Sequence, residues 1–216
     1  MAVAASSEPT RAGASRWRQR YEVVAFLTPV VLFGLLALQR AIAFMDTYNP
    51  VILANGASLV LIMYAFALRR TPKDVDRSFW PWLVAMGGDF VPFAVDLSGE
   101  NRWAGPAPFL IQCCGLALSF WAVWNIREAI GIVPANRGIK VGGPYRFIRH
   151  PMYTAVVVSH IGLLMVFPNP INFVMLIVVT GFKAKMVLNE ERLLMKDPEY
   201  QEYAGRVRWR AIPGVV

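Results

Sequence analysis

The chain has 216 residues, 56% hydrophobic and 17% charged, with a formal net charge of +8 and a mean hydropathy of +0.43. That apolar share exceeds what the core of one soluble domain absorbs. The only two cysteines, adjacent at Cys113 and Cys114, supply neither a disulfide framework nor a four-ligand zinc site, so no metal is expected. The positive charge falls between apolar segments, which points to membrane lipids as partners and not to nucleic acid.

Met1 to Arg20 is a polar stretch of Ala, Ser and Arg with no short apolar region and cleavage site, and reads as a disordered cytoplasmic tail over 1–20. Six apolar stretches follow: Val23 to Leu38, Pro50 to Leu68, Phe79 to Val95, Ala107 to Ile126, Tyr153 to Phe167 and Pro170 to Leu188. A bilayer-crossing helix needs about 20 residues, so the first four predict transmembrane helices within 21–126. The fifth is short and the sixth carries Lys183 and Lys185 near its end, which predicts a helical hairpin closed by Phe167, Pro168, Asn169 and Pro170.

Basic residues favour the cytoplasmic side. With six spans, 20 of the 22 lysines and arginines fall on one side and only Arg40 and Arg102 on the other. The expected fold is therefore all-α, a polytopic transmembrane bundle of about six spans with both termini cytoplasmic. Residues 127–216 form a C-terminal region carrying the hairpin, an interfacial tail and a cytoplasmic cofactor site.

Two clusters in that region have residues suited to chemistry. The first runs from Gly142 to Tyr153 and includes Tyr145, Arg149, His150 and Pro151. Pro151 is placed as a first helical residue, leaving a helix start able to seat a carboxylate or phosphate. The alternative is a basic interfacial segment on anionic lipid. The second cluster holds Lys183, Lys185, Glu190, Glu191 and Arg192, for which a solvated, salt-bridged helix end is the alternative. Counting about 18 residues back and 18 to 21 forward from the hairpin turn reaches His150 and then Leu188 to Glu191, so equal rise brings the clusters to one depth.

Asp197 and Pro198 predict the start of a short helix. The following Arg206-Val207-Arg208-Trp209-Arg210 segment either lies on the membrane surface or covers a site. Within the membrane, Asn55 and Gln112 are expected to hydrogen-bond between helices, whereas Asp89 and His160 are candidates for function. No common nucleotide-binding or hydrolase motif occurs.

The run Pro134-Ala135-Asn136-Arg137-Gly138-Ile139, with Gly143-Pro144-Tyr145-Arg146, Arg149-His150-Pro151-Met152-Tyr153, Glu190-Glu191 and Arg208-Trp209-Arg210-Ala211-Ile212-Pro213, resembles the isoprenylcysteine carboxyl methyltransferase and phospholipid methyltransferase superfamily of integral membrane enzymes. The resemblance covers about Val133 to Val216. It implies an S-adenosylmethionine (SAM) site containing Tyr145, Arg149, His150, Pro151, Tyr153 and Glu190. It also implies catalytic roles for Glu191 and for Lys185, which stands where some relatives carry a basic residue that meets substrate. Ala155 replaces a glycine frequent in the family pattern.

The implied reaction is methyl transfer to a lipophilic acceptor resembling an isoprenylcysteine carboxylate, with lipid amines and small thiols as other acceptors. Sterol reductases share the RHP-x-Y segment, so an NADPH-dependent membrane reductase is one alternative and a non-catalytic transporter or assembly protein another. The sequence leaves the oligomeric state and the host membrane open.

Overall fold

The computed structural model describes residues 11–69, 74–75, 78–97, 105–130, 135–136 and 138–214. Residues 1–10 of the expected tail, Arg70, Lys73, Arg77 and Arg102 of the charge count, and Pro134 and Arg137 of the C-terminal motifs lie outside them. Among the described residues the fold is helical: α1 (Arg11–Thr47), α2 (Pro50–Ala67), α3 (Phe79–Phe90), α4 (Ala107–Ile126), α5 (Pro151–Val166), α6 (Pro170–Leu194) and α7 (Pro198–Arg206). It is joined there by a two-residue antiparallel pair, β1 (Asp74–Val75) with β2 (Ala135–Asn136), and by an isolated parallel bridge between Ile148 and Trp209.

Among the described residues, four helices are long and apolar enough to cross a membrane: α1 over Phe26–Thr47, α2, α4 and α6. The six-span expectation is met less fully at the other two stretches. α3 gives way after 12 residues to a 3₁₀ turn over Val91–Ala94, which contains Pro92 with no N–H to donate. α5 has only 16 residues before the turn at Phe167. At the N-terminus α1 begins at Arg11, so 11–20 is helical where the sequence reading expects disorder. Ala, Arg and Gln are good helix formers, and this segment continues an apolar helix that has already been nucleated.

Local chemistry accounts for the turns. Asn49 caps α2 by accepting from the Val51 N–H at 2.9 Å, with Pro50 at the first helical position. Asn169 does the same for α6, accepting from Asn172 N–H at 2.8 Å. The Asn172 amide then donates to the carbonyls of Asp96 at 2.7 Å and Phe167 at 2.9 Å, sewing the hairpin to the end of the third stretch.

Small residues set the helix packing. A Cβ on Gly115 of α4 would strike the Ser159 hydroxyl of α5, and one on Gly162 would come within 3.1 Å of Gln112 Oε1. α4 and α5 therefore pack at close range, and the fully buried Ala155 sits in that contact opposite Gly115. The close approach that a glycine at 155 would permit is supplied from the facing helix. Gly87 and Gly88 of α3 lie equally close to Phe182 and Met186 of α6.

Polar residues inside the bundle divide. Arg40, counted above on the far side of the membrane, is only 1% exposed and donates from Nε to Asn55 Oδ1 at 3.0 Å. Asn55 thus makes the expected interhelical bond. Gln112 is fully buried with no hydrogen-bond partner for its amide among the described residues.

Candidate active site

The hairpin brings the two clusters together. α6 is a single helix of 25 residues, about 37 Å long, so its last turns carry Glu190 and Glu191 alongside the start of α5. His150, the residue before α5, stands between them: Nε2 lies 3.2 Å from Glu191 Oε1 and Nδ1 lies 3.7 Å from Glu190 Oε2. The Tyr153 hydroxyl donates to Glu190 Oε2 at 2.9 Å. The rings of His150 and Tyr153 stack with centroids 5.7 Å apart.

The two glutamates differ in surroundings. Glu191 is 5% exposed and gathers Arg149 Nε at 3.2 Å, Arg210 Nε at 2.6 Å, His150 Nε2 at 3.2 Å and the Tyr200 hydroxyl at 3.4 Å. Two guanidiniums compensate its buried charge, as burial of a carboxylate requires. Glu190 is half-buried and faces a cavity that Tyr145, Arg149, His150 and Tyr153 also line. Five of the expected site residues therefore share one wall.

Three do not. Pro151 is buried at the first position of α5 and serves the helix start. Glu191 is not among the residues lining the cavity, because its oxygens are committed to Arg149, Arg210 and His150. Lys185 is exposed and also away from the cavity. Lys183, two positions earlier and so on nearly the opposite helix face, is the lysine that enters. Its Nζ donates to Asp89 Oδ1 at 2.8 Å and lies 5.7 Å from the Tyr153 ring centroid. A helix rotates about 100° per residue, so Lys183, seven residues before Glu190, falls on the face carrying Met186 and Glu190, and Lys185 does not.

The C-terminal segment straps the start of α5. Arg149 N–H donates to Trp209 O at 2.9 Å and His150 N–H to Arg210 O at 2.7 Å, and the Thr154 hydroxyl donates to Ala211 O at 2.8 Å. Asp197 caps α7 as expected, accepting from Glu199 N–H at 3.0 Å. α7 supplies Tyr200 and Tyr203, which line the cavity beside Tyr145. The Tyr203 hydroxyl donates to Tyr145 O at 2.7 Å, and burial pushes its pKa up to about 12. Burial pushes the phenols of Tyr145 and Tyr200 upward as well, with nearby glutamate charge adding to it. All three remain neutral donors at physiological pH.

The loop before Tyr145 depends on glycine. Gly143 adopts φ +58, and a Cβ there would collide with the Asn125 amide at the end of α4. Both constraints favour a residue without a side chain.

The sequence reading missed the N-terminal contribution to the cavity: Arg40 and Asn55, with Phe33 and Leu59, come from α1 and α2. Ionisable and amide residues within apolar helices were the available signal.

Residues 102–198 match the family model for phospholipid methyltransferases. Over these 97 of its 216 residues, just under half of the chain, the protein is similar to this family of membrane methyltransferases. No curated protein matches the chain. The match spans α4, the strapped loop, α5 and all of α6, so the cluster of Arg149, His150, Tyr153, Glu190 and Glu191 lies wholly within it. It favours a membrane methyltransferase over the NADPH-dependent reductase that shares the RHP-x-Y segment.

Proposed function

We propose that this methyltransferase takes its methyl group from SAM and delivers it to a lipophilic acceptor carrying a carboxylate, as an isoprenylcysteine does. The observation that carries the donor assignment is the wall of Glu190, His150, Tyr153 and Arg149 on one cavity. SAM presents an ammonium, a carboxylate and a sulfonium, and this wall offers a match to each. Glu190 takes the ammonium, Arg149 the carboxylate, and the stacked faces of His150 and Tyr153 receive the sulfonium or the adenine.

When bound, SAM supplies an electrophilic methyl on a good leaving group. The chain's task is then to hold the nucleophile in line and exclude water. Glu191 acts through others in this reading: it fixes Arg149 and His150 and ties down the strap through Arg210.

The acceptor assignment is supported by charge. Among the described residues lining the cavity, Arg40, Lys140, Arg149 and Lys183 outnumber Asp89 and Glu190, an excess of positive charge that favours an anion. The apolar helices on which the cavity is built suit entry of the acceptor from lipid and of SAM from the aqueous face. The test is incubation of the purified protein with methyl-labelled SAM and a lipid extract of its host membrane. Base-labile label in the organic phase, as expected for a methyl ester, supports the reading. Base-stable label points to an amine or thiol acceptor, and label absent from the organic phase overturns transfer to a lipophilic molecule.

A further inference from the structure

The cavity that meets Glu190 and His150 at one end continues into the bundle, where Arg40, Asn55 and His160 line it. His160 follows Tyr153 by seven residues of α5, about 10 Å at the helical rise. The lining also includes the apolar Phe33, Leu59, Ile62 and Val156. The cavity measures about 170 Å³, whereas a single water needs only about 10–15 Å³. It has room for a chain-like ligand.

The far pole is built to receive a particular group. The Nδ1–H of His160 donates to Val156 O at 2.8 Å, so in the neutral ring Nε2 is a bare acceptor. His160 is 8% exposed, and its Nε2 is buried with no hydrogen-bond partner among the described residues. Arg40 lines the same cavity and is held by Asn55. A Cβ on Gly56 would come within 3.3 Å of Arg40 Cβ, so the glycine lets α1 and α2 close on this pole.

An orphaned acceptor that shares a cavity with a guanidinium complements a group that both donates and accepts. A hydroxyl does both, giving its proton to Nε2 and its lone pair to the guanidinium. A carboxylate would set lone pair against lone pair at Nε2, and a plain hydrocarbon end would leave a buried acceptor unmatched, which is costly.

We propose that Arg40, Asn55 and His160 form a hydroxyl-binding subsite, and that the methyl acceptor is an elongated lipophilic molecule with a hydroxyl about 10 Å from its methylated atom. The identity of this ligand as acceptor rests on the methyltransferase reading, whereas the subsite does not. Arg40 and Asn55 lie outside the segment matched by the family model.

The chain contains only two histidines, which makes the test direct. The full chain, labelled with ¹⁵N-histidine in lipid nanodiscs without SAM, is titrated with 1-decanol and, separately, with decane. A His150→Gln variant assigns the His160 resonances. Decanol should move the His160 Nε2 signal upfield, as an acceptor nitrogen does on gaining a donor, and decane should not. Arg40→Met should raise the half-saturating decanol concentration about tenfold, the scale of one lost buried hydrogen bond to a charged group. No shift with decanol, or an equal shift with decane, would overturn the subsite in the unmodified chain whether or not the Arg40 variant folds. A chain that shows the decanol shift but binds no SAM would instead refute the methyltransferase reading and leave the subsite standing.

Discussion

Asp89→Asn removes the carboxylate that holds Lys183, and its cost follows from the geometry. The two groups are 2.8 Å apart with side chains 7% and 8% exposed. At an effective dielectric of about 20 the direct attraction is about 6 kcal/mol. Part of this offsets the desolvation of two charges, so the pair itself is not a large source of stability. Breaking it is another matter, because Lys183 stays behind as a buried cation among apolar helices. Loss of one partner of a buried pair costs about 3–5 kcal/mol, and a lone lysine at mid-membrane costs about 2.5–3.5 kcal/mol on insertion scales. Asp89→Asn and Lys183→Met should each destabilise the protein by roughly 3 kcal/mol or more on these grounds. The double variant should recover most of that, since neither charge is left alone. Denaturant unfolding in detergent, followed by loss of helical circular dichroism, provides the double-mutant cycle. If the double variant lost the sum of the two single losses, α3 and α6 would not be coupled through this pair.

Other consequences are independent of it. Gly115→Ala places a methyl against the Ser159 hydroxyl and should lower stability by about 1–3 kcal/mol through overpacking, read as a lower unfolding midpoint; an unchanged midpoint would mean that α4 and α5 are not in this close contact. Glu191→Gln leaves the buried Arg149 without its carboxylate and weakens the hold on Arg210, so limited proteolysis should cut the 207–211 strap faster than in the parent protein, and equal cleavage rates would contradict the strap. In alkaline titration followed by tyrosinate absorbance, Tyr203 should ionise near 12 instead of 10. Its folded pKa is raised, so the unfolded chain gives up this proton first and the stability contribution, full below pH 10, is lost as pH rises towards 12; loss of the late-titrating signal in Tyr203→Phe is the check. Lys185→Met should leave turnover within about twofold of the parent, as suits an exposed surface change, and a large loss would return Lys185 to the site.

Much of this site was legible because it depends on spacing. Antiparallel helices of equal rise place residues equidistant from a turn at equal depth, and the Phe167 to Pro170 turn needed only its Pro and Asn to be located. The meeting of His150 with Glu190 and Glu191 follows. Spacing along a helix fixes depth well and azimuth poorly, and the family offset that singled out Lys185 carries no information on which helix face turns to the cavity that Lys183 lines. Paired glutamates carry no mark of which one faces a cavity; that was decided by Arg149 and Arg210, brought to Glu191 by two different segments. Arg40 was harder still. A lone arginine near the end of an apolar stretch reads as a loop charge, and only its contact with Asn55 and the glycine facing it turn it inward.

Direct measurement of SAM binding by the purified protein, with radiolabelled cofactor, tests the central claim most plainly. The parent protein and Lys185→Met should bind alike, whereas Glu190→Ala, His150→Ala and Tyr153→Ala should each weaken binding about tenfold or more, the scale of a lost hydrogen bond to a charged group. Unchanged affinity in all three site variants would contradict a cofactor site at the joined ends of α5 and α6.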